Sequence, residues 1–188
     1  MTTAQLYKEL NYVNHSREKR LYYANLMHDN PDLVPSLLDI LFMVDDEISP
    51  RAAWVFEFMC NADIETIIPY LDMFTENMHK VHLDSAVRPV AKICEFLAKA
   101  YTSKANNKIK NTLTETHKEC IIEVCFDYMI NDEKIAPKAY SMNTLFLLGK
   151  DYDWVHPELA LILERDFQIQ SSGFKARARH ILKKIKSK

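Results

Sequence analysis

The sequence predicts an all-α protein: an α-α superhelix of about five antiparallel helix pairs, forming one domain over residues 1–188. Three observations predict it. Only 2 glycines, Gly149 and Gly173, occur in 188 residues, whereas sheets joined by tight hairpins need the positive φ angles that glycine supplies. Apolar residues recur at i, i+3, i+4 and i+7 in one segment after another, the spacing of a single helical face. A pattern of 37 residues also repeats along the chain, within the range of helical solenoids.

Taken in order, residues 3–13 and 16–28 read as two helices broken near Asn14. Asn30 is placed to cap the next helix, with Pro31 at its first position, where the missing N–H removes no helical bond. Val34, Leu37, Leu38 and Leu41 give that helix its apolar face. Asp45, Asp46 and Glu47 read as a solvated acidic turn. Ser49 is expected to cap a helix with Pro50 in its first turn and Ala52, Val55, Phe56 and Met59 facing inward. Asp63 starts a further helix that contains Pro69.

The clearest helical stretch is 83–97, LDSAVRPVAKICEFL. Asp84 is a good N-cap, and Val87, Val90, Ala91 and Cys94 share one face. Pro89 removes a backbone hydrogen bond inside this helix and predicts a bend. Residues 102–114 are polar, Asn-rich and basic, and read as an inserted surface loop. A helix resumes with Ile121, Val124, Cys125 and Tyr128 on one face. Pro137 opens another, which Gly149 closes as its C-cap. His156 and Pro157 introduce the next. Ser171 to Gly173 then turn the chain into a basic C-terminal helix, 174–188.

The repeat is read from the basic residues that open the second helix of each pair: Arg51, Arg88, Lys138 and Lys175. Their separations are 37, 50 and 37, and removing the 13-residue insertion from the middle interval restores 37. Three residues after each opener stand Trp54, Ala91, Ser141 and Ala178; seven after stand Phe58, Glu95, Leu145 and Leu182. Trp54 and Glu95 are the misfits in these columns. The run Asp84, Val87, Arg88, Ala91 resembles the D-x-x-V-R-x-x-A opening of the second helix in HEAT and armadillo-type repeats. The resemblance implies a HEAT/ARM-like solenoid. In it no pair buries its apolar faces alone, and neighbours stack into one right-handed superhelix.

The longer words HLDSAVRPVAKICEFL, APKAYSMNTLFLLGK, DWVHPELA and FKARARHILKKI resemble a group of short bacterial proteins often labelled adenylosuccinate lyase. That label implies elimination of fumarate from a succinyl-purine by paired acid and base groups. Members of that lyase superfamily share a flexible S-S-x-M-P-x-K-x-N loop holding the catalytic serine. Ser171-Ser172-Gly173-Phe174-Lys175 departs from it after the two serines, so no catalytic residue carries over. HEAT-like DNA glycosylases, which remove alkylated purines, are similar in placing Trp, Asp and Arg on the inner surface. Here Trp54, Arg51 and Arg88 would be joined by Glu57 as the acid, and no second copy of the set occurs.

Composition bounds the chemistry further. Net charge is −2, so no global field draws nucleic acid. Two glycines exclude a Gly-rich phosphate cradle. The 4 cysteines, Cys60, Cys94, Cys120 and Cys125, form no CxxC and read as buried thiols. The 7 histidines form no HExxH or zinc spacing, and His79 and His82 share a face without an acidic or Cys partner. No metal, cofactor or catalytic residue is expected. No basic stretch followed by an apolar run marks a leader, and no apolar segment is long enough to span a bilayer, so a cytoplasmic location is expected.

The function expected is a non-enzymatic protein-binding or scaffold module whose partner is another protein. Its candidate contacts are Arg51, Trp54, Arg88, Lys92 and Lys138 on the second helices. Two readings stay open for them: Arg51 and Arg88 form either a one-residue-shifted Asp-to-Arg ladder between neighbouring repeats or a ligand surface, and Trp54 is either a packing solution or a recognition residue. The alternative partner is nucleic acid or another phosphate polymer. It would be met by the C-terminal stripe Lys175, Arg179 and Lys183, at i, i+4 and i+8, with the Lys104 to Lys110 stretch. Residues 172–188 hold seven cations and no acid, leaving 17 basic against 26 acidic residues elsewhere.

Overall fold

In the computed structural model, which describes residues 1–187, eleven α-helices form and no strand does among those residues. Lys188, the end of the expected basic helix, lies outside them. The helices pair as predicted. α1 (Thr3–Leu10) goes with α2 (Arg17–Asp29), and α3 (Val34–Leu41) with α4 (Ser49–Ala62). A 3-10 segment, Ile64–Tyr70, runs into α5 (Leu71–Asn77), which goes with α6 (Asp84–Thr102). After the short α7 (Ile109–Thr112), α8 (Glu115–Ile130) pairs with α9 (Ile135–Leu148), and α10 (Val155–Asp166) with α11 (Ser172–Lys186).

Two layers result. The second helices pack in succession, α2 on α4, α4 on α6, α6 on α9 and α9 on α11, while α1 meets α3, α5 meets α8 and α8 meets α10 in the layer of first helices. One continuous apolar cluster fills the space between, from Leu6 and Leu10 through Phe56, Phe74, Val90 and Leu145 to Phe174 and Ile181. Every face predicted from the i, i+3, i+4, i+7 spacing points into it, including Val87, Val90, Ala91 and Cys94. Burial of such faces is the main stabilising term, and no single pair has enough of it to stand alone.

Several local expectations are corrected. Asp84 is the first residue of α6 rather than its cap: Leu83 precedes the helix without a side-chain bond, and the Asp84 carboxylate lies 2.9 Å from Lys134 Nζ. Ser49 likewise stands inside α4, its hydroxyl donating to the Leu41 carbonyl at the end of α3. Asn30 ties off α2 through its amide and the Leu26 carbonyl instead of capping the helical segment after it. Asp46 is no solvated turn residue: it accepts from Tyr7 Oη at 2.9 Å and from the Ile48 N–H at 2.8 Å. His82 lies beyond the helical turn that holds His79.

The segment read as a surface loop, 102–114, contains α7 and buries Ile109 and Leu113. The Lys108 N–H and ammonium both reach Glu65, and Asn107 donates to the Ala100 carbonyl. Two apolar residues at i and i+4 were enough to dock one helical turn in an otherwise polar stretch. Gly149 does follow the last residue of α9, but with φ −63°. Its need for glycine is spatial: a Cβ there would lie 2.6 Å from His156 Cδ2 and 2.7 Å from the Leu145 carbonyl oxygen. Cys120 is only partly buried, whereas Cys60, Cys94 and Cys125 are buried.

Candidate functional site

The candidate contacts lie on α4, α6 and α9, and the structure binds most of their polar groups into the solenoid. Arg51, in the first turn of α4, donates to the Leu10 and Asn11 carbonyls at the end of α1. It therefore closes a helix C-terminus, where cations are favourable, and takes no acid from a neighbouring repeat. Arg88 does pair with an acid of the preceding repeat, but with a Glu rather than the Asp of the ladder reading. Its guanidinium forks onto Glu57 of α4, Nη2 to Oε2 at 2.6 Å and Nη1 to Oε1 at 3.2 Å, a bidentate charge-assisted pair. Glu57 is buried and Arg88 is half-buried.

The two misfits of the repeat turn out to be joints between helices. Trp54 Nε1 donates to the Ser85 carbonyl of α6 at 2.8 Å. Glu95, 4% exposed, receives Lys92 Nζ at 2.6 Å, Lys99 Nζ at 3.0 Å and the Asn143 amide of α9 at 2.9 Å. Burial alone would raise the Glu95 pKa, but the two ammoniums outweigh it and hold the carboxyl below its ordinary range. Lys92 also sits 4.3 Å from the centroid of the Tyr140 ring of α9, a cation–π contact. Lys138 is buried, and its charge helps to lower the pKa of Asp166 behind the Arg165 bond.

Around Trp54 these helices leave a shallow depression of about 310 Å³, lined by His15, Arg20, Trp54, Asp84, Ser85, Arg88 and Lys134. The His15 ring lies over Trp54 with centroids 5.0 Å apart. Arg20 places its guanidinium 4.8 Å from the centroid of Phe58 and donates to the His15 carbonyl. Of the predicted contacts, the structure brings Trp54 and Arg88 together here. Lys92 belongs to the Glu95 cluster, and Arg51 and Lys138 to other contacts.

A family model for the HEAT repeat domain matches residues 7–185. The chain is a HEAT repeat protein. No curated protein and no solved structure matches it. The HEAT match begins within α1 and reaches into all five pairs, the N-terminal one included.

At the other end of this HEAT repeat protein, the basic stripe lies on α11. Arg179 and Lys183 are exposed and Lys175 is partly so; Arg179 rests 5.3 Å from the centroid of Phe167. Lys108, from the second basic stretch, is engaged with Glu65. α11 packs against α9 and α10, and α7 against α6 and the Ile64–Tyr70 segment, so different neighbours hold the two basic stretches.

Two polar clusters escaped the sequence reading. His117 is buried at the third position of α8, where Nδ1 accepts the Thr114 N–H and Nε2 lies 2.6 Å from Asp72 Oδ1. Since Nδ1 accepts, Nε2 carries the proton and donates to Asp72. Lys118, also buried, meets Glu115 at 2.6 Å and Tyr101 Oη at 3.0 Å. Burial opposes its charge, but these bonds outweigh that and hold its pKa above the ordinary lysine range. The only signal for either was a basic residue within the first turn of a helix. Among the described residues, no group of three or more His, Cys, Asp or Glu is placed to hold a metal ion, and no helix is long and apolar enough to cross a membrane.

Proposed function

We propose that this HEAT repeat protein is a non-enzymatic scaffold that holds a partner protein against its second-helix layer, at the depression centred on Trp54. The observation that carries this reading is the internal bonding of that surface. Trp54 is held by Ser85 and Arg88 by Glu57, so a partner meets side chains whose rotamers are already fixed. Preorganisation of this kind lowers the entropic cost of association. Trp and Arg are also the residue types that dominate interface energies. Arg20 and Lys134 at the rim, the latter shared with Asp84 at 2.9 Å, favour a partner segment bearing a carboxylate. HEAT repeat domains typically mediate protein interactions, which agrees with this reading.

The test is site-specific photo-cross-linking in the cell of origin, with the cross-linker at exposed His15 and, as control, at exposed Asp39 of α3. A partner adduct from position 15 that is missing from position 39, and that Lys134→Glu abolishes, is the expected result. Adducts equally abundant from both positions, or none from position 15, would overturn the reading.

A further inference from the structure

A second surface, on the layer of first helices, has the opposite character. Between α8 and α10 runs a groove of about 560 Å³ with Ile122, Phe126, Ile130 and Trp154 among its apolar walls. Ile122, Phe126 and Ile130 stand at i, i+4 and i+8 on α8; Ile122 is buried with Ile121, Val124, Cys125 and Tyr128 in the core and floors the groove, while half-buried Phe126 and exposed Ile130 line it from the surface. Trp154 precedes α10 and stacks on Phe126 with centroids 5.5 Å apart, yet remains 56% exposed; Ile130 is 53% exposed. Leu161, on α10 as well, is exposed too. A tryptophan and an isoleucine this open in one groove form a patch of the kind that marks a binding surface.

The rim decides what fits. Glu119, Glu123 and Asp127 follow each other at i, i+4 and i+8 beside the apolar stripe, and Glu158 faces them from α10. All four are exposed, and among the described residues none forms an ion pair. Among the described residues no Lys or Arg lines the groove. The same four carboxylates repel phosphate polymers and anionic bilayers. We infer that the α8–α10 groove docks a basic amphipathic helix of a partner protein. The partner's apolar face would lie on Phe126, Ile130 and Trp154, and its flanking Lys or Arg residues on Glu119, Glu123, Asp127 and Glu158. Such a helix laid in a groove is read through anchors spaced i, i+4 and i+7. This surface is independent of the Trp54 depression and stands or falls separately from it.

The experiment titrates the full chain calorimetrically with a synthetic leucine–lysine amphipathic helix about four turns long, and with a counterpart in which every lysine is glutamate. The lysine peptide is expected to bind, more weakly as salt rises, and the glutamate peptide about tenfold more weakly or not at all. Glu123→Lys with Asp127→Lys is expected to weaken the lysine peptide by about tenfold or more, and Ile130→Ser to weaken it as well. Asp29→Lys with Asp39→Lys, which makes the same change in net charge elsewhere, is expected to leave it within about threefold. All of the altered side chains are exposed, and near-ultraviolet circular dichroism verifies each fold. The proposal is overturned by absent binding, by equal binding of the two peptides, or by equal loss in both charge-reversal variants, the mark of diffuse attraction. Self-association of the chain that Glu123→Lys with Asp127→Lys abolishes would overturn it too, by giving the groove to a second copy.

Discussion

Trp54 donates its indole N–H to the Ser85 carbonyl, the acceptor that Pro89, four residues further along α6, leaves without a helical partner. A proline inside a helix removes the i to i−4 bond and frees one carbonyl. Here the neighbouring repeat fills the gap. The residue that breaks the small-residue column of the repeat is thus matched to the proline that breaks the backbone ladder of the next helix, and α6 runs unbroken from Asp84 to Thr102.

The joint predicts a coupling. Trp54→Phe keeps the ring and deletes the donor, and should destabilise by about 1 kcal/mol, the net worth of one hydrogen bond. With Pro89→Ala the carbonyl regains a backbone donor, so the same Trp54→Phe change should cost measurably less. Urea denaturation of the two single variants and the double variant tests this. Equal effects of Trp54→Phe in both backgrounds would show that Pro89 and Trp54 are unrelated.

The Glu57–Arg88 rung should be asymmetric. Arg88→Met leaves the buried Glu57 carboxylate without its two donors, whereas Glu57→Gln leaves a half-buried guanidinium that can turn to solvent. The first change should therefore destabilise by about 2 kcal/mol or more and the second by less, since a buried group without its partner carries the larger penalty. Midpoints of chemical denaturation compare them directly, and the reverse order would contradict the rung's geometry.

The solenoid was legible because two periods coincide in the sequence: 3.6 residues within helices and 37 between them. What each opening residue bonds to was not legible, because that depends on how far apart adjacent pairs sit. Arg51 finds carbonyls of α1 and Arg88 finds an acid of α4, although the repeat makes them equivalent. Glu95 looked like a flaw in the apolar column. It became a buried hub only because Lys92, Lys99 and Asn143 converge on it. The acidic groove left one trace, a second apolar stripe on α8 at Ile122, Phe126 and Ile130. Ile122 is buried and only Phe126 and Ile130 stay partly or wholly exposed, a fact of packing rather than of local pattern.

Glu95 carries a pH prediction. Its folded-state pKa lies below the unfolded value, so its contribution is fully present above the unfolded carboxyl range of about 4.3 and is lost as pH falls through the lower folded value. Glu95→Gln should lower stability at neutral pH by about 1–3 kcal/mol, the range for bonds to charged groups. It should also flatten the loss of stability on acidification, so that wild type and variant converge in acid. Urea midpoints measured down the acid limb report this. A constant gap between the two proteins at every pH would contradict the role given to the carboxylate.

The two glycines should respond to alanine in opposite senses. Neither has positive φ, so alanine strains neither backbone and only the surroundings differ. At Gly149 the new methyl would meet His156 Cδ2 at 2.6 Å, the Leu145 carbonyl at 2.7 Å and Val155 Cγ1 at 2.8 Å. It must push α10 away from the end of α9, an overpacking cost of about 1–3 kcal/mol. At Gly173, in the first turn of α11, the nearest atom is Ile135 Cγ1 at 3.5 Å, ordinary contact. Alanine there restricts the unfolded chain and should stabilise by about 0.4–1 kcal/mol. Thermal denaturation should accordingly move down for Gly149→Ala and up for Gly173→Ala. Loss of stability in both would mean that the first turn of α11 needs its glycine for a reason other than space.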